Sequence, residues 1–426
     1  MTHELRVEVL EDPSHGFSGV PAQRGGDAPD AAADGCHAEL RVGLLPAGTG
    51  VLMYAMSPSG SGARGWHQAY LEVSPEELMD RADRLLTIWR DDVVHRRTTE
   101  PAPGQRVGGR PLAEAVDLSE LRDVTDPLVS RLADEGYDLL QVVLDGTGYD
   151  LGRFREFLMG ELAGERQLRI SFDSEWQLPW SMLAVDPAGC ASPWEAFLGH
   201  RHQIEQARTG YGWDHAPLGT RERASVSLNK DTTLDDVAKA DEVHKLLEER
   251  SVLTVRTLAG ELLAALSRPV LQEDVMYFWC HGHFVDTGAA GQVLAVRLSD
   301  TEDIDGPVVR RKRRSYFRST QSRFRPFVLL NACDSARAAR PGRLKHLGQE
   351  LVDQGADGVL APQIEIPELF AAEYAYAFLD RYLTGTHTAG AIGQWLVRHF
   401  ARDFHNPLAL VYSLNGGLYT RLDLSS

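Results

Sequence analysis

Cysteine is scarce in this chain and never clustered. The 426 residues hold four: Cys36, Cys190, Cys280 and Cys333. None forms a Cys-x-x-Cys pair, so neither a disulfide framework nor a thiolate zinc site is expected. Long apolar runs are also missing. No stretch of about 18 apolar residues occurs, so no transmembrane helix is expected. The opening MTHELRVEVLEDPS alternates apolar and charged residues and has no apolar signal-peptide core. Glycine-rich phosphate-binding fingerprints, metal-ligand spacings and helical repeats are absent as well. His200 and His202 stand two apart, but no further ligands converge on them. No cofactor or metal is expected. Positive charge is in deficit: 44 Lys and Arg against 61 Asp and Glu give a net charge of −17. That balance disfavours broad nucleic-acid or anionic-membrane binding, where phosphates must be neutralised. The expectation is a cytoplasmic protein without a membrane partner.

What is present is enough for a sizeable fold. Hydrophobic residues make up 43% of the chain, and its length predicts more than one domain. Residues 4–10 alternate like a strand, and 13–35 read as a flexible Gly/Pro/Ala/Asp segment. ELRVGLL and GVLMYAM, joined by PAGT, read as a hairpin, followed by the strand HQAYLEV. Ser74-Pro75-Glu76-Glu77 is a helix start, with Ser as N-cap and Pro at the first helical position. A linker follows over 97–112. Residues 1–110 are therefore expected to be a small α/β module. Beyond them helices and strands alternate, which predicts an α/β fold with a mostly parallel sheet and helices on both faces. DLSELRDVTDPLVSRLADEG reads as a helix, YDLLQVVLDG as a strand and WEAFLGHRHQIEQA as a helix.

In such sheets, sites form at the carboxyl ends of strands. Two near-continuous apolar runs, DVMYFWC and FVLLNAC, look like inner parallel strands. The first stops at His281-Gly282-His283 and the second at Cys333-Asp334-Ser335. His281 precedes Cys333 by 52 residues, close to the roughly 50 of caspases. A neutral thiol is a poor nucleophile, and a nearby imidazole can take its proton. The same imidazole can then protonate a leaving amine. Gly282 leaves backbone N–H groups unobstructed, and with the N–H of Cys333 it would form an oxyanion hole. Singly, each residue has an ordinary reading. A Cys after an apolar strand is often a small buried hydrophobe, and Cys280 is read that way. His283 is a second candidate base or a loop cap. Asp286 is either the group that orients the imidazole or a solvated loop acid.

FWCHGHF resembles the strand-then-His-Gly motif of clan-CD cysteine peptidases. LLNACDSA resembles the nucleophile motif of the CHAT peptidases, relatives of caspases and separases. ISFDSEWQLPWSMLAVDP, LGQELVDQGADGVLAPQIEIPE and FAAEYAYAFLDRYLTGTHTAGAI resemble further CHAT segments, so the likeness covers about residues 115–426. It implies a caspase-like sheet in two tandem halves, a degenerate one over 111–218 and a catalytic one over 219–426. It also implies His281 as general base, Cys333 as nucleophile and Gly282 as the oxyanion glycine. In metacaspases an acidic residue two before the nucleophile helps bind a basic P1 side chain. Here Asn331 stands there, so it would instead bond a polar P1 group or its own loop. Gln363 and Glu365, beyond the next strand, fall where specificity residues often lie, or are solvated loop residues.

The resemblance implies a cysteine endopeptidase that cuts a partner protein, such as a pore-forming gasdermin or a defence regulator, in bacterial defence or cell death. A separate sensor or activator protein is expected, because no repeat array is present. The competing readings are a caspase-like interaction scaffold with an idle Cys and a nucleic-acid-responsive regulator. The regulator would use Arg310, Arg311, Lys312, Arg313 and Arg314, which are interleaved downstream with aromatics. A solvated charged surface or a processing loop is the plainer reading of that run.

Overall fold

The computed structural model describes residues 38–48, 50–57, 65–97, 108–174, 176–207, 221–237, 239–286, 292–316, 324–333 and 347–425. Its strands are β1 (Ala38–Ala47), β2 (Gly50–Ser57), β3 (Gly65–Leu71), β4 (Leu168–Ser174), β5 (Gln203–Ala207), β6 (Ala224–Lys230), β7 (Ser251–Arg256), β8 (Val275–Asp286), β9 (Gln292–Arg297), β10 (Asp303–Asp305), β11 (Phe327–Cys333), β12 (Gly358–Pro362) and β13 (Tyr412–Asn415). Its helices are α1 (Pro75–Trp89), α2 (Arg122–Val143), α3 (Tyr149–Ala163), α4 (Leu198–Arg201), α5 (Ala240–Arg250), α6 (Ala259–Leu266), α7 (Gly306–Arg313), α8 (Leu347–Asp353), α9 (Glu368–Tyr382) and α10 (Ala389–Phe404). Among the described residues, thirteen strands form one sheet in the order β10-β9-β8-β11-β12-β13-β5-β4-β1-β2-β3, with β6 and β7 joining through β8. Seven of the twelve pairings are parallel. This is an α/β fold with a mixed, mostly parallel sheet. The hairpin strands β1–β3 extend that sheet, because β1 pairs in parallel with β4.

The apolar runs of β8 and β11 follow from burial on both faces. Val275, Tyr277 and Trp279 belong to one core cluster, with residues of α5, α9 and α10. Met276, Phe278 and Cys280 belong to a second, with residues of α6, α7 and α8. Because side chains alternate across a strand, covering both faces needs apolar residues at every position. α1 starts as its sequence predicts: Ser74 Oγ accepts the Glu77 N–H at 3.1 Å, and Leu78, Ala82, Leu85 and Trp89 are buried.

Three local expectations fail. YDLLQVV is not a strand but the second half of α2. Leu132, Gly136, Leu139, Leu140 and Val143 are buried, at a spacing that keeps one helical face on the core. Gly136 does not end the helix; it lets the helix approach the backbone at Met182, where a Cβ would lie 2.4 Å from the carbonyl oxygen. WEAFLGHRHQIEQA is not one helix. It forms a 3-10 turn over Pro193–Ala196, the single turn α4, and then β5. The Pro at the start holds the first turn, and buried sheet pairing takes the end. The third concerns β8, which does not end at His281 but runs on to Asp286. β6 pairs with β8 only as far as Trp279, and β9 takes over that edge from His281 onward. The strand expected at 4–10 and the flexible segment 13–35 lie outside the described residues.

Candidate active site

His281 sits where β8 changes partners. On one side it is the Cα partner of Arg297 in antiparallel β9. On the other it is the Cα partner of Cys333 in parallel β11. Neighbouring strands lie about 4.8 Å apart, so the fold puts the two backbones side by side despite 52 intervening positions. The ring of His281 is directed at the turn that follows β6. Its Nε2 lies 3.4 Å from Thr233 Oγ1 and 3.8 Å from Asp231 Oδ2.

Asp231 is fixed before it meets the imidazole. Its main-chain N–H donates to the Trp279 carbonyl at 2.9 Å. Its Oδ1 accepts the Thr233 N–H at 2.9 Å, capping a 3-10 turn. One carboxylate oxygen is held by the backbone and the other faces His281. The side chain of Asp231 is 9% exposed against 43% for His281, so the carboxylate forms the buried wall behind a ring open to solvent. With Nε2 turned to Asp231 and Thr233, Nδ1 is the nitrogen left for another group. Nothing in the sequence singles out Asp231 as a site residue. Its only local signal is an Asp-Thr-Thr turn closing the strand ASVSLNK, and that signal names a cap rather than a partner 50 residues away.

The other candidates separate. Gly282 is buried and lies in the β8–β9 ladder opposite Val296, not in a loop after the strand. His283 is two positions past His281, beyond the last β11 pairing. Its Nε2 lies 2.8 Å from Asp303 Oδ1, and Arg297 reaches the same carboxylate at 2.7 Å. Asp286 ends β8 opposite Gln292, five residues beyond His281, a rise of roughly 16 Å along the strand. That separation removes it as the group orienting His281.

Asn331 also needs correction. Its side chain is fully buried, donating to the Ala371 carbonyl of α9 at 2.8 Å and accepting from Tyr412 Oη at 2.8 Å. Both amide atoms are engaged by the core, so it offers nothing to a P1 group. The Gln363 main-chain N–H donates to the Val411 carbonyl at 2.9 Å, and its Nε2 points to the Leu178 carbonyl. Glu365 contacts His95 at 3.0 Å, which ties the loop after β12 to the segment after α1.

Cys280 has Sγ inside the second cluster, and burial pushes its thiol well up from the ordinary value. That suppresses the thiolate and leaves Cys280 a packing residue. The basic run is only partly a surface. Arg310 Nε forks onto the buried carboxylate of Glu350 at 3.0 and 3.1 Å. Arg313 is 1% exposed and donates to the Leu266 and Arg268 carbonyls at 3.0 and 3.2 Å. Its guanidinium stands 4.2 Å from the centre of the Phe324 ring, and burial pulls it down to about 10. Both cations brace α7, Arg310 against α8 and Arg313 against α6, but only the buried Arg313 is removed from any nucleic-acid face; Arg310 keeps 48% of its side chain exposed. The stretch 336–345 lies outside the described residues. Among the described residues, no helix is long and apolar enough to cross a membrane.

Residues 154–403, more than half of the chain, match the model of the CHAT domain, and both His281 and Cys333 fall inside the match. The chain belongs to the CHAT domain family. Among solved structures, this CHAT chain is similar to a chain of the Saccharomyces cerevisiae separase–securin complex, with 11% identity and a TM-score of 0.42. The alignment covers 88% of this chain and 30% of that one, so the CHAT chain spans under a third of that neighbour. It is also similar to the Arg-specific cysteine proteinase gingipain R, with 9% identity, a TM-score of 0.36, and coverage of 82% and 75% of the two chains. A search of curated proteins gave no match.

Proposed function

We propose that this CHAT chain is a cysteine endopeptidase in which Cys333 is the nucleophile and His281 its general base. The observation that carries the reading is the register of β8 and β11, which makes the two residues Cα partners. In the reaction, Nδ1 of His281 takes the thiol proton and the Cys333 sulfur adds to the scissile carbonyl carbon. The carbonyl oxygen becomes an oxyanion, received by the backbone N–H of Cys333 and by that of Gly282, which stands one position past the last β11 pairing although its strand continues beside β9. The imidazolium returns its proton to the amine as the C–N bond breaks, leaving a thioester. Water then adds, gives its proton to His281 and releases the acid and the free thiol. Asp231 acts on the far nitrogen through charge: at 3.8 Å from Nε2 its carboxylate favours the Nε2–H tautomer and balances the imidazolium, while Thr233 Oγ1 at 3.4 Å is the hydrogen-bond partner. The substrate is a partner protein, and the motif resemblance favours a target in bacterial defence or programmed cell death.

Wild type and Cys333→Ala are compared on whole-cell lysate and on candidate partners, with new N-termini mapped by mass spectrometry. Termini found only with wild type are the expected result. Identical termini from both proteins would leave an interaction scaffold. On any substrate so found, His281→Ala is expected to abolish cleavage. His283→Ala is expected to retain most of it, because His283 is held by Asp303 beyond the reach of β11.

A further inference from the structure

A second concavity lies away from β8 and β11. It is bounded by the end of α9, the loop into α10, the first half of α10, and the starts of β4 and β5. Its volume is about 220 Å³, and its walls include Arg381, His387, Arg398, Trp395, Gln167 and Gln203. Among the described residues no carboxylate lines it, although the whole chain carries a net charge of −17.

The basic groups there are held in place. The Arg381 guanidinium lies 3.5 Å from the centre of the Trp395 ring, a cation–π stack that fixes its plane. Among the described residues its N–H groups meet no carboxylate. Gln203 is 1% exposed. Its Oε1 accepts from Arg169 Nε at 3.1 Å, and among the described residues its Nε2 has no acceptor. Gln203 lines the cavity, so this N–H is left to donate to whatever enters it. Arg398, in the cavity wall, donates through Nε to the His200 carbonyl at 2.8 Å and through Nη2 to the Arg201 carbonyl at 3.3 Å, so it contributes positive field from a fixed position. A fixed guanidinium fork and an amide donor without an acceptor, in a positive field, match the needs of an oxyanion.

We infer that this cavity binds a small molecule through a phosphate or carboxylate group, received by the Arg381 fork and the Gln203 amide beside the Trp395 ring. The ligand is small because the cavity is. The site is separate from the peptidase reading, since no lining residue belongs to the strands that carry His281 and Cys333.

The test uses the full chain, titrated by calorimetry and by thermal melting with inorganic phosphate and, in a second arm, succinate, against chloride at equal ionic strength. Saturable binding of either anion, with a rise in melting temperature that chloride does not give, is expected. Phosphate alone would assign a phosphate ligand and succinate alone a carboxylate. Arg381→Ala is expected to weaken binding about tenfold or more. Gln203→Glu keeps the acceptor for Arg169 and replaces the donor by a negative oxygen, so it should abolish binding in a protein whose circular dichroism is unchanged. The inference is overturned if neither anion saturates, or if Gln203→Glu binds as wild type does.

Discussion

Asp231 does two jobs with one carboxylate. Oδ1 caps the turn after β6, and Oδ2 lies 3.8 Å from the His281 imidazole. An asparagine caps a helical turn about as well as an aspartate, so Asp231→Asn separates the jobs. It should leave the fold intact and lower kcat about tenfold or more with little change in KM, because a neutral amide does not stabilise an imidazolium. Asp231→Glu, which restores the charge, should recover part of the loss. Steady-state kinetics on the mapped substrate decides this, and an unchanged kcat in Asp231→Asn removes Asp231 from the mechanism. Asp231 was not legible in the sequence, because an Asx cap is a common local motif and its distal partner is set by sheet pairing. Asn331 was visible but misassigned. The chain position two before Cys333 is plain in the sequence, yet whether an amide faces a cleft or a core depends on what packs over β11. Here Ala371 and Tyr412 do.

At the element scale, α2 shows how tertiary contact overrides local preference. QVV favours a strand by composition, but the buried stripe continues in helical phase to Val143. The close approach at Gly136 fixes that helix against the Met182 backbone. Gly136→Ala should therefore destabilise the protein even though alanine is the better helix former. The clash is with backbone, which cannot rotate away, so a loss of about 1–3 kcal/mol is expected, read from the urea midpoint. A variant as stable as wild type would mean that α2 can slide at little cost. The same scale governs α7. Its charge run is obvious in the sequence, but only packing onto α6 and α8 decides that Arg313 is an internal tie and that Arg310 pairs with Glu350 from the surface, while Arg311, Lys312 and Arg314 stay exposed.

At the scale of the whole molecule, stability should depend on buried imidazoles where the long sheet meets α4. His202 is 1% exposed, 2.9 Å from the Leu162 carbonyl, and accepts the Leu168 N–H through Nδ1. Burial, and secondarily Arg201, hold it down to about 4, and His200 is held at about 4 by burial and Arg398. A base with a lowered folded pKa binds fewer protons folded than unfolded once the pH is below its ordinary 6.5. Its stabilisation is complete above that value and is lost as pH falls toward about 4. For His202 the loss is about 3 kcal/mol across that window. Urea midpoints measured from pH 7.5 to 4.5 should fall. His202→Gln should flatten the fall, and a pH-independent midpoint in wild type would show that the site opens to water. Glu205 works the other way: burial raises its carboxyl, so its ionised form costs stability as pH rises.

The sequence by itself determined the parts that depend on neighbours in the chain. Alternation and apolar runs marked β8, β11 and the α/β class, because strand periodicity and two-sided burial act residue by residue. The Ser74 cap, the His-Gly and Asn-Ala-Cys segments and their spacing were likewise local text. Only the tertiary structure decided what depends on meetings between distant segments. It carried β8 past His281 by supplying β9 where β6 leaves, and brought Asp231 to the imidazole. It closed Asn331 into the core and left Gln203 with an unmet amide in a cavity of basic walls. Each of these follows from which surfaces lose water together, and that is a property of the packed sheet rather than of any segment within it.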